Sequence, residues 1–272
     1  LLNNAVLLSH TMNPSHPSTP PVLHIKGGVA TITLNRPQHR NRLEDGDLLT
    51  LLEHIAAVNA ETTVRALVLT AQPNQPRPVF SAGYHLGAFR EDGETGPMPF
   101  ETVPDALATA RPVTLCALPG SVYGGATDLA LACDFRFGVE GMELRMPAGA
   151  LGLHYYPSGM QRYVARLGLG VARKLFLLAE TVPDRDLLAL GFLDKLLPAS
   201  ELPAAVQAWC TQVLAMGPLA VQGMKQTLNE IALGWDQPAL WREREAATKA
   251  SADFAEGRQA FAERRVPQFV GR

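Results

Sequence analysis

Cysteine is scarce in this chain: Cys116, Cys133 and Cys210 are the three among 272 residues, each in an apolar run and far from the others. That excludes a disulfide framework and fits small buried core residues in a reducing compartment. CxxC, HxxxH and HExxH patterns are missing, so no metal is expected. Charge is thin, at 18% of residues, and balanced to a net −2. Such a chain has no global field for nucleic acid. So little charge also fits a surface partly hidden in an oligomer. No apolar run approaches the length of a membrane span, and the first twenty residues lack the basic start and long apolar segment of a secretory signal. The expected setting is cytoplasmic, with no membrane and no nucleic-acid partner. Met12 is a candidate start, four prolines crowd residues 13–21, and residues 1–21 are read as a disordered leader.

What is present is apolar: 47% of the residues are hydrophobic, enough for a large core. Val22–Ile25 and Val29–Leu34 alternate around Lys26-Gly27-Gly28, the signal of a β-hairpin. Leu48, Leu51, Leu52, Ile55 and Val58 fall at helical spacing and predict an amphipathic helix over 44–59. Arg65–Thr70 and Val113–Leu118 read as buried strands. A further strand is predicted over 79–86, with short strands at Phe135–Val139 and Glu143–Met146. Thr102–Ala110 reads as a helix stopped by Pro112, and residues 90–100 as a loop. From 160 onward the pattern is helical, over 160–180, 183–191, 200–215, 218–233 and 238–264. Strands alternating with helices make this an α/β chain.

The organising stretch is Pro119 to Phe137, which runs P-G-S-V-Y-G-G-A-T-D-L-A-L-A-C-D from Pro119 to Asp134 before Phe135. Gly124 and Gly125 form a tight turn, and a small-residue helix starts at Ala126 with Asp128 in its first turn. Paired glycines let the backbone approach a ligand atom. A helix start aims N–H groups and its positive dipole at the same point. That suits an oxygen that becomes anionic during a reaction, with an acid nearby to handle protons. The competing reading is an ordinary buried helix start with Asp128 favouring the dipole.

Four segments in order resemble the crotonase (enoyl-CoA hydratase/isomerase) superfamily over nearly all of residues 22–272. They are T-L-N-R-P at 33–37 with Asn41 and Leu43, F-S-A-G-Y-H-L at 80–86, G-S-V-Y-G-G-A-T-D-L-A-L-A-C-D at 120–134, and D-F-A-E-G-R-Q-A-F-A-E-R-R at 253–265. The resemblance implies a spiral of ββα units over 22–200, then a helical C-terminal trimerisation region over 201–272. It implies an acyl-CoA thioester as substrate, no other cofactor, and a homotrimer or dimer of trimers. The thioester oxygen would sit between the N–H groups of Tyr84 and Gly125. Ala82, Gly83, His85 and Leu86 would cradle CoA, and Arg40 falls where relatives often place a base near the CoA phosphates. Tyr123, Gly124 and Ala148 would line the substrate site.

The sequence departs from this pattern where the chemistry is decided. Hydratases of the family use two glutamates. The first falls at Asp128, a shorter acid, and the second at Ala148, which has no acid. His85 replaces the usual aspartate and is read as serving the adenine edge or the loop. His154 and Tyr155 stand where they could assist Asp128, while Tyr156 and Tyr123 are read first as packing. The leading expectation is a hydratase/isomerase-type enzyme that stabilises a thioester enolate, with Asp128 as its single acid–base group. A second is a decarboxylase similar to the methylmalonyl-CoA decarboxylases, which lack the second glutamate and carry a tyrosine matching Tyr155. Those usually have a histidine where Tyr84 stands. A third is an acyl-CoA binder without catalysis.

Overall fold

The computed structural model describes residues 19–74, 76–85, 87 and 98–272. Most of the leader, Leu86 and most of the loop read at 90–100 lie outside the described residues. Strands β1 (Val22–Lys26) and β2 (Val29–Leu34) pair antiparallel. Gly27 and Gly28 turn the hairpin at φ +57 and +80, the positive angles that a two-residue turn of this hand requires. β3 (Ala66–Ala71), β5 (Val113–Leu118), β7 (Phe135–Val139) and β10 (Lys195–Leu197) extend the sheet in parallel, in the order β1-β2-β3-β5-β7-β10. A second sheet, ordered β4-β6-β8-β9, is built from β4 (Val79–Ser81), β6 (Ser121–Tyr123), β8 (Glu143–Arg145) and β9 (Thr181–Pro183).

The chain therefore visits the large sheet, then the small sheet, then a helix, three times over. The units are β3-β4-α2 (Thr102–Ala108), β5-β6-α3 (Gly125–Ala132) and β7-β8-α4 (Pro157–Leu178). This is the ββα spiral that the resemblance implies. Every residue of β5 is buried, as expected of a parallel strand covered on both faces. Helix α1 (Asp45–Ala60) precedes the first unit and buries Leu48, Leu51, Ile55 and Val58. Its start is closed by a reciprocal pair, Glu44 and Asp47. Arg111 donates to the carbonyls of Val58, Asn59 and Glu61 at its far end, where a cation also suits the helix dipole. Helix α3 is buried all round from Ala126 to Ala132, which alanines at 126, 130 and 132 allow. At its end the Cys133 carbonyl accepts from Arg136 at 2.8 Å and Arg166 at 2.7 Å.

Several predicted elements need correction. The strand expected over 79–86 ends at Ser81, because Gly83 turns the chain at φ +88. The expected helix 160–180 is broken at Gly168, whose angles (φ 78, ψ 158) lie outside the helical region. The expected helix 238–264 is two, α8 (Pro238–Lys249) and α9 (Ala252–Glu263). Ser251 separates them, its Oγ accepting the Phe254 N–H at 3.1 Å to start α9. The region after 160 also contains β9 and β10, which helical periodicity does not reveal.

Helix α5 (Asp184–Ala189) links β9 to β10, and α6 (Leu202–Leu214) packs Trp209 edge-on against Phe135 and Phe137. Helix α7 (Pro218–Ala232) is tied to α8 by Glu230, which accepts from Arg244 at 2.7 Å and Trp241 Nε1 at 2.8 Å. Arg65 donates to the carbonyls of Leu214 and Phe269, fastening this C-terminal layer to the hairpin end of β3. Among the described residues no single helix is long and apolar enough to cross a membrane.

Candidate active site

Two glycine turns meet at the end of the small sheet. Gly83, at φ +88, is so close to the second turn that a Cβ on it would lie 2.8 Å from the Tyr123 carbonyl oxygen and 3.3 Å from Gly125 N. Only glycine fits there, on both grounds. The segment is pinned from several sides. Leu43 N–H donates to the Gly83 carbonyl and His85 N–H to the Leu43 carbonyl, both at 2.9 Å, so Tyr84 is held between them. Ser81 Oγ donates to the Asn41 carbonyl at 2.6 Å and accepts the Gly83 N–H at 3.1 Å. Buried Asn41, itself at φ 51, donates to the Gln72 carbonyl at 2.9 Å. The Tyr84 hydroxyl donates to Asp45.

On the facing side, Gly124 (φ 55) caps α3 and Gly125 is its first residue. The first N–H groups of a helix have no intrahelical partner, so Gly125 offers a donor at the positive end of the dipole. The Phe100 ring covers this point, and a Cβ on Gly125 would fall 2.7 Å from Phe100 Cζ. The structure thus brings Ala82, Gly83, Tyr84, Tyr123, Gly124 and Gly125 together.

Asp128 lies one turn into α3, fully buried, and it is not alone. Oδ1 accepts from Arg162 Nε at 2.9 Å, and Oδ2 accepts from Arg162 Nη2 at 3.0 Å and from the Tyr156 hydroxyl at 2.6 Å. The Tyr155 hydroxyl donates to the Tyr156 oxygen at 2.9 Å. Arg162 Nη2 donates also to Asp105 on α2 at 2.9 Å. The chain of groups is Tyr155, Tyr156, Asp128, Arg162, Asp105. Burial first, and the Asp128 charge second, push the phenols of Tyr155, Tyr156 and Tyr163 above their ordinary range. Burial opposes the charge on Arg162, but the hydrogen bonds and charges of Asp128 and then Asp105 outweigh it and raise its pKa.

Ala148 is buried and opens a 3-10 turn over Gly149–Leu151. Nearby, Tyr155 stacks on Tyr156, with ring centroids 4.1 Å apart, and packs against Phe176 at 5.2 Å. Phe100 lies between Tyr84 and Tyr156, at 5.6 and 6.1 Å. An aromatic row therefore runs from Tyr84 beside the glycine turns through Phe100, Tyr156 and Tyr155 to Phe176. His154 is exposed and stands outside the Asp128 network. Exposed Arg40 places its guanidinium 5.5 Å from the Tyr123 ring centre, and the Tyr123 hydroxyl donates to Glu143 at 2.8 Å. His85 is half-buried, its ring against Gly87. Among the described residues no cluster of three or more His, Cys, Asp or Glu could hold a metal ion.

Arg162, Asp105 and Phe100 escape the sequence reading, and Tyr156 is read there as packing. One signal exists for Arg162. It occupies a core-facing position of α4, with Gly159 and Tyr163 buried beside it at helical spacing, and a buried arginine needs a partner.

The fold and the paired glycine turns define a class. The family model described as enoyl-CoA hydratase/isomerase matches residues 24–272. The chain belongs to the enoyl-CoA hydratase/isomerase family, the crotonase superfamily of enzymes. It is 28% identical over 261 residues to a crotonyl-CoA hydratase of Syntrophomonas wolfei, covering 92% of this chain and 98% of that one. It is 29% identical over 253 residues to the 2,3-dehydroadipyl-CoA hydratase of Escherichia coli, covering 90% and 96%. Among solved structures, Pseudomonas aeruginosa DspI superposes with a TM-score of 0.82 at 28% identity, covering 96% of this chain and 100% of that one. An enoyl-CoA hydratase from Bacillus anthracis superposes with a TM-score of 0.82 at 23% identity, covering 93% and 100%, which speaks to the fold alone.

Proposed function

We propose that this protein binds an acyl-CoA thioester and stabilises its enolate, as a hydratase- or isomerase-type enzyme. The observation that carries the reading is the close approach of Gly83 to Gly125 N, with buried Asp128 one turn into α3. The backbone N–H groups of Tyr84 and Gly125 hold the thioester oxygen, and charge developing there is stabilised by fixed donors that need not reorganise. Asp128 is the terminal acid–base group. Ala82, Gly83, His85 and Leu86 contact CoA, and Arg40 meets its phosphates beside Tyr123.

A second reading, decarboxylation of a malonyl-type thioester, draws on a specific observation. Both Asp128 oxygens already accept hydrogen bonds, and Ala148 brings no second acid. Loss of CO₂ leaves the enolate directly and needs no base, only the oxyanion donors and a proton source such as Tyr155. Mass spectrometry of the protein with crotonyl-CoA and methylmalonyl-CoA separates the two. A gain of water or a shifted double bond supports the first, and loss of CO₂ the second. Tight binding with no product refutes both and leaves a non-catalytic binder.

The same proposal includes assembly with further copies of this chain, as a trimer or dimer of trimers. Met224, Leu228 and Ile231 form an exposed apolar stripe along α7, the kind of surface that a partner copy covers. A monomer in sedimentation equilibrium would refute it.

A further inference from the structure

Burial keeps Asp128 from meeting a substrate directly, and both of its oxygens already accept hydrogen bonds, Oδ1 from Arg162 and Oδ2 from Arg162 and Tyr156. The Tyr156 ring stands between Asp128 and Phe100, the residue that covers Gly125. Tyr156 is half-buried, whereas Asp128 and Tyr155 are buried. A phenol oxygen has one proton and two lone pairs. The Tyr156 proton points to Asp128, and one lone pair accepts from Tyr155. Among the described residues the second lone pair receives no hydrogen bond.

We infer that Tyr156 is the residue that exchanges a proton with the substrate, passing it to and from Asp128, and that Asp105 lets Asp128 accept it by sharing Arg162. This rests on the enolate reading above. In the forward step the Cα–H bond of the acyl group breaks and its electron pair moves onto the thioester oxygen. The proton goes to Tyr156 Oη while the proton of Tyr156 goes to Asp128 Oδ2. Tyr156 never becomes a phenolate, a state that its burial and the Asp128 charge oppose. Reversal returns a proton to carbon.

Asp105 matters because of what happens to Arg162. When Asp128 takes a proton, it stops compensating the guanidinium. Arg162 Nη2 keeps a carboxylate partner in Asp105, 2.9 Å away. Without that partner, each proton delivered to Asp128 strands a buried cation. The charged and titratable groups facing Asp128 are Asp105 from α2, Arg162 and Tyr163 from α4, and Tyr155 and Tyr156 at the entry to α4.

The test is exchange of the α-protons of butyryl-CoA in D₂O, followed by NMR with the full chain. Butyryl-CoA has no double bond to hydrate and no carboxylate to lose, so exchange reports enolate formation alone. The wild type exchanges. Tyr156→Phe binds butyryl-CoA with unchanged Kd but exchanges about 100-fold slower or worse, the usual scale for a lost proton-transfer group. Asp105→Asn also binds with unchanged Kd but exchanges roughly tenfold slower, a loss in the rate of the bound complex and not in affinity. Tyr155→Phe is slower by a few-fold only. Wild-type exchange in Tyr156→Phe overturns the relay and leaves the enolate reading standing. A loss in Tyr155→Phe as large as in Tyr156→Phe overturns the assignment to Tyr156. A wild-type exchange rate in Asp105→Asn, or a loss that appears only as weaker binding, overturns the role of Asp105. A wild type that binds without exchanging overturns the enolate reading, and the relay with it.

Discussion

Replacing Arg162 by Gln removes the only cation hydrogen-bonded to Asp128 among the described residues, and the cost follows from burial. The Asp128 side chain is 0% exposed and that of Arg162 is 9% exposed. Gln is shorter and neutral, so both Nε and Nη2 contacts are lost. Only the Tyr156 hydroxyl then remains bonded to the carboxylate. Breaking a buried ion pair from one side costs about 3–5 kcal/mol, because the remaining charge has neither water nor partner. The second contact of Arg162, to Asp105, involves a half-exposed carboxylate and adds little. In a chain of this size each kcal/mol is worth about 2–4 °C, so the expected fall in Tm is roughly 10 °C. Urea and thermal melts by circular dichroism measure it. One control sharpens the result. The double variant Arg162→Gln with Asp128→Asn, with no charge left to compensate, recovers most of the loss. A single variant within about 1 kcal/mol of wild type, or a double variant no better than the single, would refute the argument.

Three further outcomes are expected. Gly125→Val drives a side chain into the Phe100 ring, whose Cζ would lie 2.7 Å from the new Cβ, and acyl-CoA affinity is lost in calorimetry; unchanged affinity removes Gly125 from the oxyanion site. All three cysteines are buried, with burial holding the Cys116 thiol well above its ordinary range and pushing Cys210 up to about 11. A disulfide reagent at about pH 8 therefore labels them only on unfolding, and rapid native labelling counts against this packing. Glu256 is pulled down to about 2 by Arg265 and the Gln268 N–H. Its pKa is lower folded than unfolded, so its contribution to stability is present above the ordinary carboxylate range and fades as pH falls towards 2. An NMR titration midpoint of the Glu256 carboxylate at the ordinary 4.5 would show that its contacts with Arg265 and the Gln268 N–H are not made.

The sequence by itself determined the hairpin, α1, the buried strands β3 and β5, and the Gly124-Gly125 turn. In each case the signal is local: alternation around Gly27-Gly28, apolar residues at helical spacing, a continuous apolar run, a glycine whose φ no other residue adopts readily. The family, too, was legible, since it rests on motifs kept in order along the chain. The three-residue strands β6, β9 and β10 were not, because so short a run has no period to read and exists only through its sheet partners. The break in α4 at Gly168 and the division of α8 from α9 at Ser251 were not read either, because a glycine or serine inside a helical pattern permits a turn without commanding it. Tertiary structure alone decided the partners of Asp128. Arg162 lies 34 positions away along the chain, and 57 separate Asp105 from Arg162. Neither appears as a pair in the sequence. Only the stacking of α2, α3 and α4 brings two carboxylates onto one guanidinium and places Tyr156, not His154, beside the acid. A lone acid in a sequence carries no information about its charge environment, and in a buried site that environment governs where its protons go.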